Sequence, residues 1–182
     1  LNSYEENMLE GIACTSSPLD LLECSKSIER PRNHIYQKWL LNRLLKQTIS
    51  DPFIKEINNY PEIIKKAKNR EIITIRDFDD VITAPRWGYS SVDEYYQKAS
   101  PLNKLKSIRK KILPTLFLQS LDDPWVPFEP IEELKNMLFI KQSSNSKVIL
   151  TTKGGHNGFH SKQGCWGDNL VKDWLLMLSK EV

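Results

Sequence analysis

The sequence has little of what defines several large classes of protein. Its 182 residues include three cysteines, at positions 14, 24 and 165. This odd number at wide spacings predicts neither a disulfide framework nor a Cys-x-x-Cys metal site. Only seven glycines and ten prolines occur, which excludes a collagen-like or low-complexity chain. No apolar run approaches the roughly 20 residues that a membrane-spanning helix needs, so we expect no transmembrane segment.

The charge and composition are typical of a folded protein in a reducing compartment. Lysine and arginine total 26 against 23 acidic residues, and a net charge of +3 is too small to indicate the dense basic face of a nucleic-acid-binding domain. Hydrophobic residues make up 40% of the chain, which is enough to build a core. Cysteines that stay reduced favour a cytoplasmic location.

The second half of the chain alternates apolar runs with helical patterns. Residues 112–118 and 147–152 are apolar runs that predict buried strands. Residues 130–138 and 168–180 have helical spacing, and Asp168 is the expected N-cap of the last helix. Strands that are apolar on both faces are typical of parallel sheets with helices on both sides. The order therefore predicts an α/β fold.

The first half is predicted to be mostly helical. Residues 11–14 form a short apolar run that fits a buried strand. Residues 35–49 predict an amphipathic helix, residues 61–68 predict a second, and Ser91 starts the Ser-x-x-Glu capping pattern of a third. Residues 72–75 are the one other candidate for an extended piece, so no convincing strand is expected between residues 20 and 100.

Two predicted strands are followed by side chains that fit acid–base chemistry. Asp122 and Asp123 follow the first of these strands, and His156 follows the second in a Gly-Gly-His loop. Catalytic groups of parallel sheets lie at the carboxyl ends of strands, and a carboxylate that orients an imidazole is two thirds of a Ser-His-Asp triad. A simple Asp-Pro turn and a structural Gly-Gly-His loop are the alternative interpretations.

Two other arrangements would give His156 or Cys165 a different role. His156 and His160 with Cys165 could ligate a metal, but the four-residue histidine spacing needs a helix, which the intervening Asn-Gly-Phe disfavours. Cys165 could be a nucleophile, but its flanking residues form no strand-turn-helix elbow. We therefore expect no metal and no cofactor.

Several motifs follow one another along nearly the whole chain. They are Pro18-Leu19-Asp20-Leu21, Ile35-Tyr36-Gln37-Lys38-Trp39, Ile75-Arg76-Asp77-Phe78-Asp79-Asp80-Val81-Ile82-Thr83-Ala84-Pro85, Asp122-Asp123-Pro124 and Gly154-Gly155-His156-Asn157-Gly158-Phe159. In this order they resemble the YheT-like branch of the α/β-hydrolases, which includes the embryogenesis-associated proteins. The resemblance implies a serine hydrolase that acts on a carboxylic ester, with a small-molecule or lipid ester as substrate.

The resemblance also implies roles for individual residues and segments. It gives the acid to Asp123, with Asp122 as the fallback, and the base to His156. The chain then holds strands six, seven and eight of the hydrolase sheet. Three segments correspond to the start of the chain with strand six, a helical cap-like insertion, and the βαβα core that carries the acid and the histidine: residues 1–19, 20–100 and 101–182.

The nucleophile of this family is missing. No Gly-x-Ser-x-Gly pentapeptide occurs in the sequence, and in the family that elbow lies upstream of the matched segments. Residues 4–10 would be the tail of the elbow helix, and the first residue is Leu1 in place of Met. We therefore expect the C-terminal part of a hydrolase that is inactive by itself. The competing hypothesis is a truncated, non-catalytic protein or binding module.

Overall fold

The chain forms two compact units. A computed structural model describes residues 9–53, 60–107, 112–140 and 146–179. Leu1–Leu19 and Pro101–Val182 make up one unit, called here the core unit, and Asp20–Ser100 make up the helical unit. The first strand, β1, is Ile12–Thr15. Most of the helix expected at residues 4–10 lies outside the described residues, and its last two residues are not helical.

The helical unit contains short helices and, in its described residues, no strand. These are α1 (Leu21–Ile28), a 3-10 turn (Pro31–Asn33), α2 (His34–Ser50), α3 (Tyr60–Lys68), α4 (Ile75–Phe78), a π-helical turn (Asp79–Thr83), α5 (Ala84–Arg86) and α6 (Val92–Ala99). No strand forms at residues 72–75: the backbone of Thr74 is extended, but Ile75 already begins α4. Thr74 and Asp77 form a complete capping box there.

Helix α2 extends one residue beyond the predicted range at each end but presents a different face to the core. Leu41 is 5% exposed and packs with Ile63 and Phe78, whereas Ile35 and Trp39 are exposed. The apolar residues of α2 are spread over more than one face of the helix, so only some of them are buried in the core. No helix in the described ranges is long and apolar enough to cross a membrane.

Acidic side chains of the motif at residues 75–85 hold the helical unit together. Asp79 accepts a hydrogen bond from the Tyr96 hydroxyl at 2.8 Å, and Asp80 accepts one from the Val92 N–H at 3.0 Å. Burial raises the pKa of the Asp79 carboxyl. These contacts link the π-helical turn to α6, so the acids order this unit.

The core unit is built on a parallel sheet. Its further elements are α7 (Pro101–Ser107), β2 (Thr115–Ser120), α8 (Glu129–Ile140), β3 (Lys147–Thr151), β4 (His160–Ser161), β5 (Gly164–Cys165) and α9 (Trp166–Leu178). The sheet order is β1-β2-β3, and both pairings are parallel. Leu118 of β2 lies opposite Thr15 on one side and Ile149 on the other. A separate antiparallel pair joins β4 to β5.

Helices cover both faces of the central strand. All six residues of β2 are buried. Phe117 packs into a cluster with Leu134 of α8, and Leu116 packs with Trp174 of α9. The predicted parallel α/β architecture is therefore confirmed, with the carboxyl ends of all three strands at one edge.

The last helix begins earlier than predicted. Cys165, not Asp168, is the N-cap of α9, and its side chain makes no capping hydrogen bond. The Phe159 carbonyl accepts hydrogen bonds from the Trp166 and Gly167 N–H groups at 2.9 and 3.3 Å. A backbone carbonyl thus accepts hydrogen bonds from N–H groups of the first turn, which have no partner within the helix. Asp168 lies within that turn, where a negative charge interacts favourably with the helix dipole.

Candidate active site

Polar loops meet at the carboxyl ends of the three parallel strands. Ser16 directly follows β1, Asp123 lies three residues after β2, and His156 lies in the loop after β3. The His156 Nδ1 atom is 3.1 Å from the Asp123 Oδ2 atom. The parallel topology therefore brings together the acid and the histidine that the sequence singled out.

The Asp123 carboxylate is buried and fully hydrogen-bonded. Its side chain is 0% exposed. Oδ1 accepts hydrogen bonds from the N–H groups of Trp125 and Val126 at 2.9 and 3.0 Å. Oδ2 accepts one from the Gln119 side-chain amide at 3.2 Å and lies beside His156. An ionised carboxylate only accepts, so Nδ1 of His156 is the donor in this pair.

Opposing effects act on the Asp123 pKa. Burial raises the pKa, but the hydrogen bonds from His156, Val126 and Trp125 outweigh it, and the pKa lies below its ordinary value. The carboxyl is therefore an anion at neutral pH. With Nδ1 protonated, a neutral His156 carries its free lone pair on Nε2, which is the atom that a general base uses.

Asp122 has a different task from Asp123. It is exposed, and its Oδ1 accepts a hydrogen bond from the Gly155 N–H at 2.8 Å. This hydrogen bond, as the largest effect, lowers the pKa of the Asp122 carboxyl. Asp122 thus fixes the loop that carries His156, whereas Asp123 contacts the ring itself.

Two serines hold the histidine loop on either side of His156. The Ser120 hydroxyl, 0% exposed, donates to the Gly155 carbonyl at 2.7 Å. The Ser16 hydroxyl accepts from the Asn157 N–H at 3.1 Å. Gly155 has a φ of 53°, a left-handed conformation that glycine adopts without strain. The loop conformation is therefore pinned at the residues before and after the imidazole.

Sequence reasoning missed Ser16, Gln119 and Ser120. Gln119 and Ser120 end the buried strand β2, and Ser16 follows β1 with a φ of 46°. A polar residue at the end of a buried run must find a partner, because an unpaired buried polar group is costly. That rule predicts that Gln119 and Ser120 form hydrogen bonds at the end of the strand, but it does not identify their partners.

The indole of Trp125 packs on the imidazole of His156. Its ring centroid is 4.7 Å from that of His156. Two other aromatic residues, Trp87 and Tyr89, lie in the helical unit, where Trp87 is 70% exposed and Tyr89 packs on Tyr95 with ring centroids 5.4 Å apart.

The described residues do not assemble a metal site. His156 lies in a turn, and the exposed His160 pairs through its backbone with Cys165 across the β4–β5 hairpin. Within the described ranges, no group of three or more histidine, cysteine, aspartate or glutamate side chains is placed to hold a metal ion.

Comparison with known proteins shows similarity to several hydrolases. The chain is 34% identical over 163 residues to the phospholipase ABHD3 of Bos taurus, covering 87% of this chain and 35% of that protein. It is 30% identical over 175 residues to YheT of Escherichia coli, covering 92% and 47%. It is 28% identical over 159 residues to a monoacylglycerol lipase of Saccharomyces cerevisiae, covering 85% and 33%. No protein-family model and no solved structure matches the chain.

The similarity and the topology agree with each other. The chain spans less than half the length of each of these relatives. Its three parallel strands end in an aspartate and a histidine in the order that follows the nucleophile of the α/β-hydrolase fold. The chain accordingly belongs to the α/β-hydrolase superfamily and has the C-terminal part of that fold.

Proposed function

We propose that Asp123 and His156 are the acid and base of a serine hydrolase that cleaves carboxylic esters. The observation that carries this proposal is the 3.1 Å pair between a fully bonded, buried carboxylate and a loop-borne imidazole. Two of the four hydrogen bonds to Asp123 come from backbone N–H groups, so its orientation does not depend on the histidine.

The reaction follows from this geometry. His156 Nε2 takes the proton of a serine hydroxyl as the serine oxygen attacks the ester carbonyl, and the imidazolium that forms is stabilised by the Asp123 anion. The proton then passes to the leaving alcohol, and an acyl-enzyme remains. Water, activated by the same imidazole, releases the acid and restores the serine.

The serine comes from outside these 182 residues in this proposal. The absence of a Gly-x-Ser-x-Gly pentapeptide supports this, as does the fraction of each relative that the chain spans. The donors of the oxyanion hole belong with that missing elbow. The chain by itself is then inactive, and a longer protein that contains it is the enzyme.

The substrate class rests on the names of the relatives. A phospholipase and a monoacylglycerol lipase act on lipid esters, which supports a small-molecule or lipid ester here. Residues 20–100 act as the cap over the substrate in this proposal. The embryogenesis-associated branch, a cytoplasmic location and the lack of nucleic-acid binding remain predictions from the sequence.

A non-catalytic binding protein is the second candidate. The missing pentapeptide favours it, because a triad without its serine does not turn over. The two candidates predict different results for the same reagent.

Labelling with a fluorophosphonate probe tests the proposal. We expect the longest polypeptide that contains this chain to be labelled on a serine that lies outside the 182 residues, and the chain alone to remain unlabelled. Labelling of a serine within the chain would overturn the assignment of the nucleophile. A longer polypeptide that takes up no label would support the non-catalytic candidate.

A further inference from the structure

The outward face of α2 carries large apolar side chains. Ile35 is 88% exposed, Trp39 50% and Ile49 48%. Single exposed apolar residues are common on protein surfaces. Three large apolar side chains exposed on one helix need a physical explanation, and their positions around the helix axis suggest one.

Helical geometry places these residues on the side of α2 that faces away from its core. At about 100° per residue, Ile35, Trp39 and Ile49 fall within about 80° of one another around the helix axis. Gln37 and Leu41, which are buried, fall on the opposite side. The exposed residues therefore form a stripe along the helix, called here the outer stripe.

The charged residues that α2 itself places beside the outer stripe are all basic. Helix α2 contains Lys38, Arg43 and Lys46, all exposed, and its sequence has no aspartate or glutamate. The Arg43 guanidinium lies 5.1 Å from the centroid of the Trp39 ring, and the Tyr36 ring lies 5.8 Å from it. An aromatic group beside long basic side chains is the arrangement that suits the boundary between lipid headgroups and acyl chains.

We propose that α2 docks on the surface of an anionic lipid bilayer. Its 17 residues span about 25 Å, so the helix would lie flat with the outer stripe in the acyl boundary. The basic side chains would then reach the lipid phosphates. The absence of aspartate and glutamate from α2 favours a phosphate-rich partner over a protein surface of mixed charge.

This inference does not depend on the proposed hydrolase activity. It needs neither the catalytic pair nor a nucleophile, because it concerns surface side chains of the helical unit only. A bilayer partner would deliver a lipid ester to the protein, but binding can be measured without turnover. Failure of one proposal therefore leaves the other testable.

Flotation with lipid vesicles tests the docking surface. Vesicles of phosphatidylcholine with about 30% phosphatidylserine should carry the protein upward, and pure phosphatidylcholine vesicles should carry at least tenfold less. The triple variant Lys38→Glu, Arg43→Glu, Lys46→Glu should lower partitioning at least tenfold. Raising the salt concentration should weaken binding of the wild type, because exposed charges are screened.

Matched variants separate this surface from general effects. Trp39→Ala should lower partitioning about tenfold, whereas Trp87→Ala, which removes another exposed tryptophan, should not. A second triple variant reverses the same amount of charge at exposed lysines of the core unit: Lys135, Lys153 and Lys172. Circular dichroism confirms that each variant is folded.

Three results would overturn the proposal. They are equal binding to neutral and anionic vesicles, equal losses in the two triple variants, and a self-associated state that Trp39→Ala dissolves. The last would show that a second copy of the chain covers the outer stripe.

Discussion

Replacement of Asp123 by asparagine should invert the tautomer of His156. In the wild type, Oδ2 of Asp123 lies 3.1 Å from Nδ1 of His156 and 3.2 Å from the Gln119 amide. The backbone donors of Trp125 and Val126 demand an acceptor and hold the asparagine oxygen at the Oδ1 position. The new NH2 group then faces two donors, and a neutral imidazole can relieve the conflict by moving its proton to Nε2.

The energetic cost follows from the bonds that are lost. Two hydrogen bonds to a charged acceptor disappear, and each contributes about 1.5–3 kcal/mol. His156 is 30% exposed and can exchange its partner for water, so the hydrogen bond from His156 contributes the lower value of this range. We expect Asp123→Asn to lower the free energy of unfolding by about 3 kcal/mol. In an active longer protein, the inverted tautomer should lower kcat by about 10⁴-fold.

Asp122→Asn is the matched control. Asp122 is one position away, but it lies at the surface and does not contact the imidazole, and an asparagine oxygen can also accept the hydrogen bond from the Gly155 N–H. Nitrogen-15 chemical shifts of the neutral His156 ring report the tautomer directly. Urea unfolding of the same samples gives the stability.

Two outcomes would refute this reasoning. One is an unchanged His156 tautomer in Asp123→Asn. The other is a larger effect of Asp122→Asn than of Asp123→Asn on either measurement, which would transfer the acid role to Asp122.

Further predictions concern the loop and the pH. Ser120→Ala removes the donor to the Gly155 carbonyl and should cost about 1 kcal/mol in urea unfolding, and a cost of zero would show that the loop is held elsewhere. Gly154→Ala places a methyl group 2.7 Å from the Phe159 ring, so we expect a loss of about 2 kcal/mol and disturbed ring signals, whereas wild-type stability would contradict the packing. The pKa of Asp123 is lower in the folded than in the unfolded state, so its stabilisation is present above about pH 4 and lost as the pH falls through the folded value. The stability difference between wild type and Asp123→Asn should therefore shrink between pH 7 and pH 3, and a constant difference would contradict a lowered pKa.

The sequence was most informative where a rule connects spacing directly to geometry. Apolar runs bounded by turns predicted all three parallel strands, and all residues of the central strand β2 are buried, as expected for a strand covered on both faces. The pairing of Asp123 with His156 followed from the rule that carboxyl ends of parallel strands share one edge. Neither prediction required knowledge of the loops.

The rest depended on contacts that spacing does not encode. The face of α2 that is buried is chosen by its neighbours, so Ile35 is exposed although it fits the apolar pattern. The N-terminus of α9 is set by the Phe159 carbonyl, which no local cap signal reveals. Gln119 and Ser16 act through partners far along the chain or across a turn. Such tertiary choices override local propensity.

The kcat for ester hydrolysis by the His156→Ala variant tests the central claim most directly. The measurement uses a p-nitrophenyl ester and the longest polypeptide that contains this chain, with His160→Ala as the matched control at an exposed histidine. If His156 is the general base, kcat should fall by at least about 10³-fold in His156→Ala and stay near wild type in His160→Ala. Unchanged turnover in His156→Ala would contradict the account.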